Sequence, residues 1–101
     1  MRIISTSKLK LDANKYPDIK QVIDSWCQVV KNVNWNHLED VKTVYPTAEA
    51  VKNFTVFNLK GNKYRLIVGI DYQKQIIYYK YLLTHSEYDK DKWKNDPYYQ
   101  S

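Results

Sequence analysis

The sequence is poor in the residues that most active sites are built from. One cysteine, Cys27, and two histidines stand among 101 residues, so no disulfide can close within the chain and little is on offer for a structural zinc site. Glycine occurs only twice, and no glycine-rich phosphate loop is present. Neither a paired-carboxylate spacing nor a serine–histidine–aspartate arrangement can be picked out, and there are no internal repeats. Apolar runs stop well short of the roughly 20 residues that a membrane span needs, and the first residues lack the apolar segment of a signal peptide. The expectation is a soluble, cytoplasmic protein with no membrane partner, no metal and no cofactor.

What is present fits one globular domain. The length suits a single core, and the 44% hydrophobic content is that of a folded chain. Charge is informative by its location. Between Phe54 and His85 stand Lys60, Lys63, Arg65, Lys74 and Lys80 against Asp71 alone, which places four of the five net positive charges in one stretch. A localised basic surface attracts phosphate backbones by releasing counterions, although lysine-rich strands and turns also serve to keep sheet edges soluble.

That stretch reads as an antiparallel meander. Phe57 and Leu59 lead into the turn Lys60-Gly61-Asn62-Lys63, whose Gly61-Asn62 pair can take positive φ. Tyr64 to Ile70 then alternates, a second turn spans Asp71 to Gln75, and Ile76 to Leu83 forms the last strand. Alternation puts Tyr64, Leu66, Val68 and Ile70 inward, with Phe57, Leu59, Ile77, Tyr79, Tyr81 and Leu83. Asn58, Arg65, Tyr78 and Lys80 fall on an open face, with Lys60, Lys63, His85 and Tyr88 near its rim. This surface suits phosphate, with a titratable group beside it.

Before the meander, Met1 to Ile4 supplies a short strand and Ser5-Thr6-Ser7 offers caps for a short helix over Lys8–Asn14. A longer helix starts near Pro17-Asp18. Its Ile19, Val22, Ile23, Trp26, Cys27, Val30 and Val33 recur at three- and four-residue steps and make one apolar stripe. Trp26 and Cys27 lie on that stripe and read as packing, since a nucleophilic thiol needs an electropositive, partly exposed niche. His37 and Lys42 lie in a region of loop and one or two helical turns, within reach of the open face, and Pro46 to Asn53 reads as connection. The fold class is α+β: a sheet of about four strands in the order β-α-α-β-β-β, two helices on one face and a short C-terminal helical turn.

Two stretches carry a family resemblance. Asn58-Leu59-Lys60-Gly61-Asn62-Lys63-Tyr64-Arg65-Leu66 and, some twenty residues on, Thr84-His85-Ser86-Glu87-Tyr88-Asp89-Lys90 closely resemble the two signature stretches of HigB-type toxins of bacterial toxin–antitoxin pairs, members of the RelE-like group of messenger-RNA endonucleases. The resemblance runs from Met1 to about Asp89. It implies a RelE-like fold and a toxin domain over residues 1–90. Residues 91–101 match no motif and are expected to form a flexible tail. The position of Lys80 is commonly Arg in such proteins, and lysine cannot make the bidentate phosphate contact.

RNA carries its own nucleophile, the 2′-hydroxyl beside the scissile phosphate, so cleavage needs no serine, cysteine or metal. It needs in-line geometry, proton transfer at both oxygens and cations for the phosphorane charge. With the resemblance, Arg65 is the charge-stabilising residue, His85 the acid or base, Tyr88 a donor or stacking platform and Glu87 the candidate base. Lys60, Lys63 and Lys80 are expected to contact RNA, with Asn58 and Asn62 holding the turn beside them. The expected function is an mRNA interferase that cuts translated messages on the ribosome and is neutralised by a HigA-like helix-turn-helix antitoxin. Two rivals use the same surface: a noncatalytic RNA- or ribosome-binding module, and a protein whose open sheet binds a partner segment.

Overall fold

The computed structural model describes residues 1–100. Strand β1 (Arg2–Ile4) leads into helices α1 (Thr6–Ala13), α2 (Lys20–Lys31) and α3 (Leu38–Val44). Strands β2 (Glu49–Val51), β3 (Phe54–Leu59), β4 (Tyr64–Asp71) and β5 (Ile76–Thr84) follow. The chain ends in α4 (His85–Asp89), a 3-10 turn at Lys92–Asn95 and α5 (Pro97–Gln100). The five strands form one sheet in the order β1-β5-β4-β3-β2. All pairings are antiparallel except that of β1, which runs parallel to β5 along the edge.

The α+β reading holds, with one more strand and one more helix on the core face. The segment read as connection contains β2, which folds back on β3 through a turn with Lys52 at a left-handed φ of 52°. In the β3–β4 turn the positive φ values fall on Lys60 and Gly61, not on Asn62.

Both faces of the sheet are covered. On one, the α2 stripe of Ile19, Ile23, Trp26, Cys27 and Val30 packs with Leu9 and Val41 against Phe57, Leu59, Tyr64, Leu66, Val68, Ile77 and Tyr79. At fully buried aliphatic positions such packing contributes about 1.5–3 kcal/mol per side chain. The second face carries Phe54, Val56 and Ile67, and the C-terminal segment lies on it through Trp93, Tyr98 and Tyr99. As far as it is described, the 91–101 segment lies in this layer; Ser101 lies outside the described residues.

A β-bulge changes which residues share that layer. Ile67 pairs with Tyr81 and Val68 with Tyr79, so Lys80 is the extra residue on β5. One inserted residue inverts the alternation beyond it. Tyr81 and Leu83, expected inward with Tyr79, therefore lie on the C-terminal side, and Leu82 joins the helix-side core.

Candidate active site

Arg65 is held at the end of the sheet by its own turn. Its strand partners are Asn58 on β3 and Leu83 on β5, which share its face. Nη1 donates to the carbonyls of Asn62 at 3.0 Å and Tyr64 at 3.2 Å. The guanidinium carbon lies 5.4 Å from the centre of the Tyr88 ring, a cation–π arrangement. Alternation put Arg65 on an open face; the structure leaves it only 9% exposed because α4 and the 3-10 turn close over that face. The other guanidinium nitrogens make no hydrogen bond or ion pair with the described residues.

Helix α4 brings the second signature stretch to this point. The His85 N–H donates to the Lys63 carbonyl at 3.0 Å, tying the start of α4 to the β3–β4 turn. The helix is begun by a capping box: Thr84 Oγ1 accepts from the Glu87 N–H, and Glu87 Oε1 accepts from the Thr84 N–H at 2.9 Å. Tyr16 adds its hydroxyl to Glu87 Oε1 at 3.3 Å. The Thr84 backbone donor lowers the Glu87 pKa most, and its burial only partly offsets this.

His85 is half-exposed, with Nδ1 3.2 Å from Asp89 Oδ2 one turn on. Tyr88 is half-buried, and its ring lies parallel to that of Trp93 with centres 5.0 Å apart. Burial pushes the Tyr88 pKa above 10, the Glu49 carboxylate adds to this and Arg65 opposes it. The phenol is therefore neutral at pH 7 and can donate a hydrogen bond.

The predicted RNA contacts divide. Asn58 and Asn62 are drawn to Arg65, one as strand partner and one through its carbonyl. Lys60 is exposed at the turn and makes no ion pair among the described residues. Lys63 is engaged by Asp18, whose other carboxylate oxygen accepts from the Tyr64 hydroxyl at 2.6 Å. Lys80 is not brought to Arg65: its ammonium rests on the Tyr98 ring, 4.6 Å from the centre.

Sequence reasoning missed several participants. Asp89 and Trp93 sit beside His85 and Tyr88. A cavity of about 240 Å³ between β5, α4 and the 3-10 turn is lined by Tyr81, Leu83, Glu87, Lys90, Lys92 and Trp93. Of its two lysines Lys90 closes the second signature stretch and Lys92 lay in the stretch read as a tail, where only the density of aromatic and charged residues hinted at a role. Another cavity, of about 550 Å³ near Leu38, Lys52 and Tyr72, contains none of the predicted site residues. Among the described residues no three His, Cys, Asp or Glu side chains come together as a metal site would require, and no helix is long and apolar enough to cross a membrane.

The chain is similar to known proteins along most of its length. The chain is 29% identical over 93 residues to an mRNA interferase HigB of Escherichia coli O6:H1, covering 89% of this chain and 90% of that protein. It is likewise 29% identical over 92 residues to the mRNA interferase toxin HigB of Escherichia coli K12 and to an mRNA interferase HigB of Shigella flexneri, at 88% of each chain. Residues 19–91, which span α2, the meander and α4, match the family model for the RelE-like toxic component of a toxin–antitoxin system, and the chain belongs to this HigB toxin family.

Proposed function

We propose that this protein is a messenger-RNA endonuclease that arrests growth by cutting messages under translation, and that a HigA-like helix-turn-helix antitoxin neutralises it. The observation that carries the reading is the Arg65 guanidinium, set over Tyr88 and bound by its backbone contacts to the turn that holds Lys60. Such a group binds a phosphate without reorganising when charge develops. Relatives named as mRNA interferases over nearly the whole chain support the same substrate.

In this reading the RNA 2′-oxygen bonds to phosphorus and the bond to the 5′-oxygen breaks, leaving a cyclic phosphate and a 5′-hydroxyl. Arg65 takes the charge that builds on the non-bridging oxygens. His85 delivers the proton to the leaving 5′-oxygen from Nε2, with Asp89 beside Nδ1 orienting the ring. Tyr88, a neutral phenol, is a donor or a stacking surface and not a base. Glu87 acts through position: its lowered pKa and its three donors suit a cap holding α4 and are poor properties for a general base. The 2′-hydroxyl proton leaves to solvent, and the translating ribosome supplies the in-line geometry of the message. Lys60 and Lys63 contact flanking phosphates, with Asn58 and Asn62 shaping the turn between them; Lys80 contacts RNA farther along the strand.

Induced expression without antitoxin, with message ends mapped across the transcriptome, tests this. New 5′ ends inside coding regions, together with growth arrest, are expected. Arrest with intact messages overturns the endonuclease in favour of noncatalytic binding to RNA or ribosomes.

A further inference from the structure

The match to the family ends at residue 91, yet the chain beyond it returns to the site. Asp91 takes a left-handed φ of 60°, and this bend brings Trp93 back over α4. Trp93 and Tyr88 stack with an interplanar angle of 12°. The indole Nε1 donates to the Tyr88 backbone carbonyl at 3.0 Å. Trp93 is itself wedged, with Phe54 at 6.0 Å and the edge of Tyr99 at 5.4 Å between ring centres, and it is only 3% exposed.

Tyr88 needs this support. It stands on a five-residue helix, and so short a helix is marginal without tertiary contacts. The same ring carries the Arg65 guanidinium. Whatever sets the pose of Tyr88 therefore sets the place at which Arg65 meets a phosphate. A misplacement of about 1 Å in such a group can cost about 100-fold in rate.

We propose that Trp93 is a positioning residue for RNA cleavage, acting through Tyr88 on Arg65. The inference rests on the endonuclease reading above. It assigns to the segment after α4 a part in setting phosphate geometry, where its burial alone would make it only a cover for the sheet.

Single-turnover and steady-state cleavage by the full chain, with a synthetic RNA or programmed ribosomes as substrate, separates the two roles. Trp93→Leu keeps an apolar side chain but abolishes the stack; kcat should fall about 10- to 100-fold, with KM changed less than about threefold. Trp93→Phe restores a ring and should recover all but about fivefold. In an Arg65→Lys background Trp93→Leu should cost under about threefold more, since residues acting as one unit are non-additive. Thermal unfolding on the same preparations sets an assay temperature at which each variant is folded. If leucine does not fold, methionine, which fills irregular gaps, carries the same test. A folded Trp93→Leu or Trp93→Met that cuts at full rate overturns the proposal. So do equal losses for leucine and phenylalanine, or losses that simply add to that of Arg65→Lys. If the wild-type chain cuts and Trp93 is indifferent, only this inference fails; a wild type that cuts nothing removes the endonuclease reading and this inference with it.

Discussion

Arg65 and Tyr88 meet where the sheet ends and α4 begins, the guanidinium carbon 5.4 Å from the centre of the phenol ring. Arg65 consequently has a structural role beside the charge-stabilising one proposed for it. Arg65→Ala leaves the carbonyls of Asn62 and Tyr64 without this donor and the ring without its cation, and should destabilise the fold by about 1–3 kcal/mol. Cleavage should fall further, about 100- to 1000-fold, as for loss of one preorganised charge-stabilising donor. Thermal unfolding and cleavage on one preparation check both numbers, and a folded Arg65→Ala enzyme with full activity sinks the proposed site.

His85 should separate the two effects more cleanly. The side chain is half-exposed and Asp89, its ion-pair partner among the described residues, is exposed as well, so His85→Ala should change stability by no more than about 0.5 kcal/mol. The cut should slow by about 100- to 10,000-fold if the imidazole is the general acid. A substrate with a 2′-deoxy sugar at the cut site should resist wild-type protein altogether. Cleavage that persists on that substrate rules out attack by the 2′-hydroxyl.

The sequence made some of this legible. The apolar stripe on α2 and the alternation from Tyr64 to Ile70 each have one period, and the structure follows them. Ile76 to Thr84 is apolar or aromatic at almost every position, so its pattern reads the same in either register, and the bulge at Lys80 left no mark. The covering of the second face was hidden for another reason: Trp93, Tyr98 and Tyr99 find their partners at Phe54, Gly69, Lys80 and Tyr88, which are scattered along the chain. Asp18 and Lys63 lie 45 residues apart, and the ion pair between them has no local signature. The signature stretches held Arg65, His85 and Tyr88 but not the Trp93 ring stacked behind Tyr88.

The Asp18 cluster makes the anchoring of the β3–β4 turn depend on pH from both ends. Hydrogen bonds from Lys63 and Tyr64 hold the Asp18 carboxyl down at about 2, from an ordinary 3.8. Its contribution is complete above the ordinary value and is lost as pH falls toward 2. Tyr64 is pushed up to about 12, first by its bond to Asp18, so its contribution is complete below pH 10 and is lost as pH rises through 12. Asp18→Asn should therefore lower Tm by a constant amount across the neutral range, and the difference should shrink below about pH 4 and above about pH 10. Unfolding curves at several pH values check this, and a difference that does not change at either end means that the cluster is not what titrates.

Gly69 is small for the sake of the C-terminal segment, not for its backbone. Its φ lies outside the left-handed region, yet a Cβ there would come within 2.5 Å of the Tyr98 ring. That ring cannot easily yield, since it stacks on Phe54 at 5.3 Å and lies under the Lys80 ammonium. Gly69→Ala should destabilise by about 1–3 kcal/mol, the cost of overpacking a filled site. In a Tyr98→Ala background the obstacle is gone, and alanine should then favour the strand over glycine by about 0.5–1 kcal/mol. The sign of the substitution thus reverses with the residue at position 98. Chemical denaturation of the four proteins of this cycle gives the coupling directly, and an equal effect of Gly69→Ala in both backgrounds would show that Tyr98 does not occupy the space above Gly69.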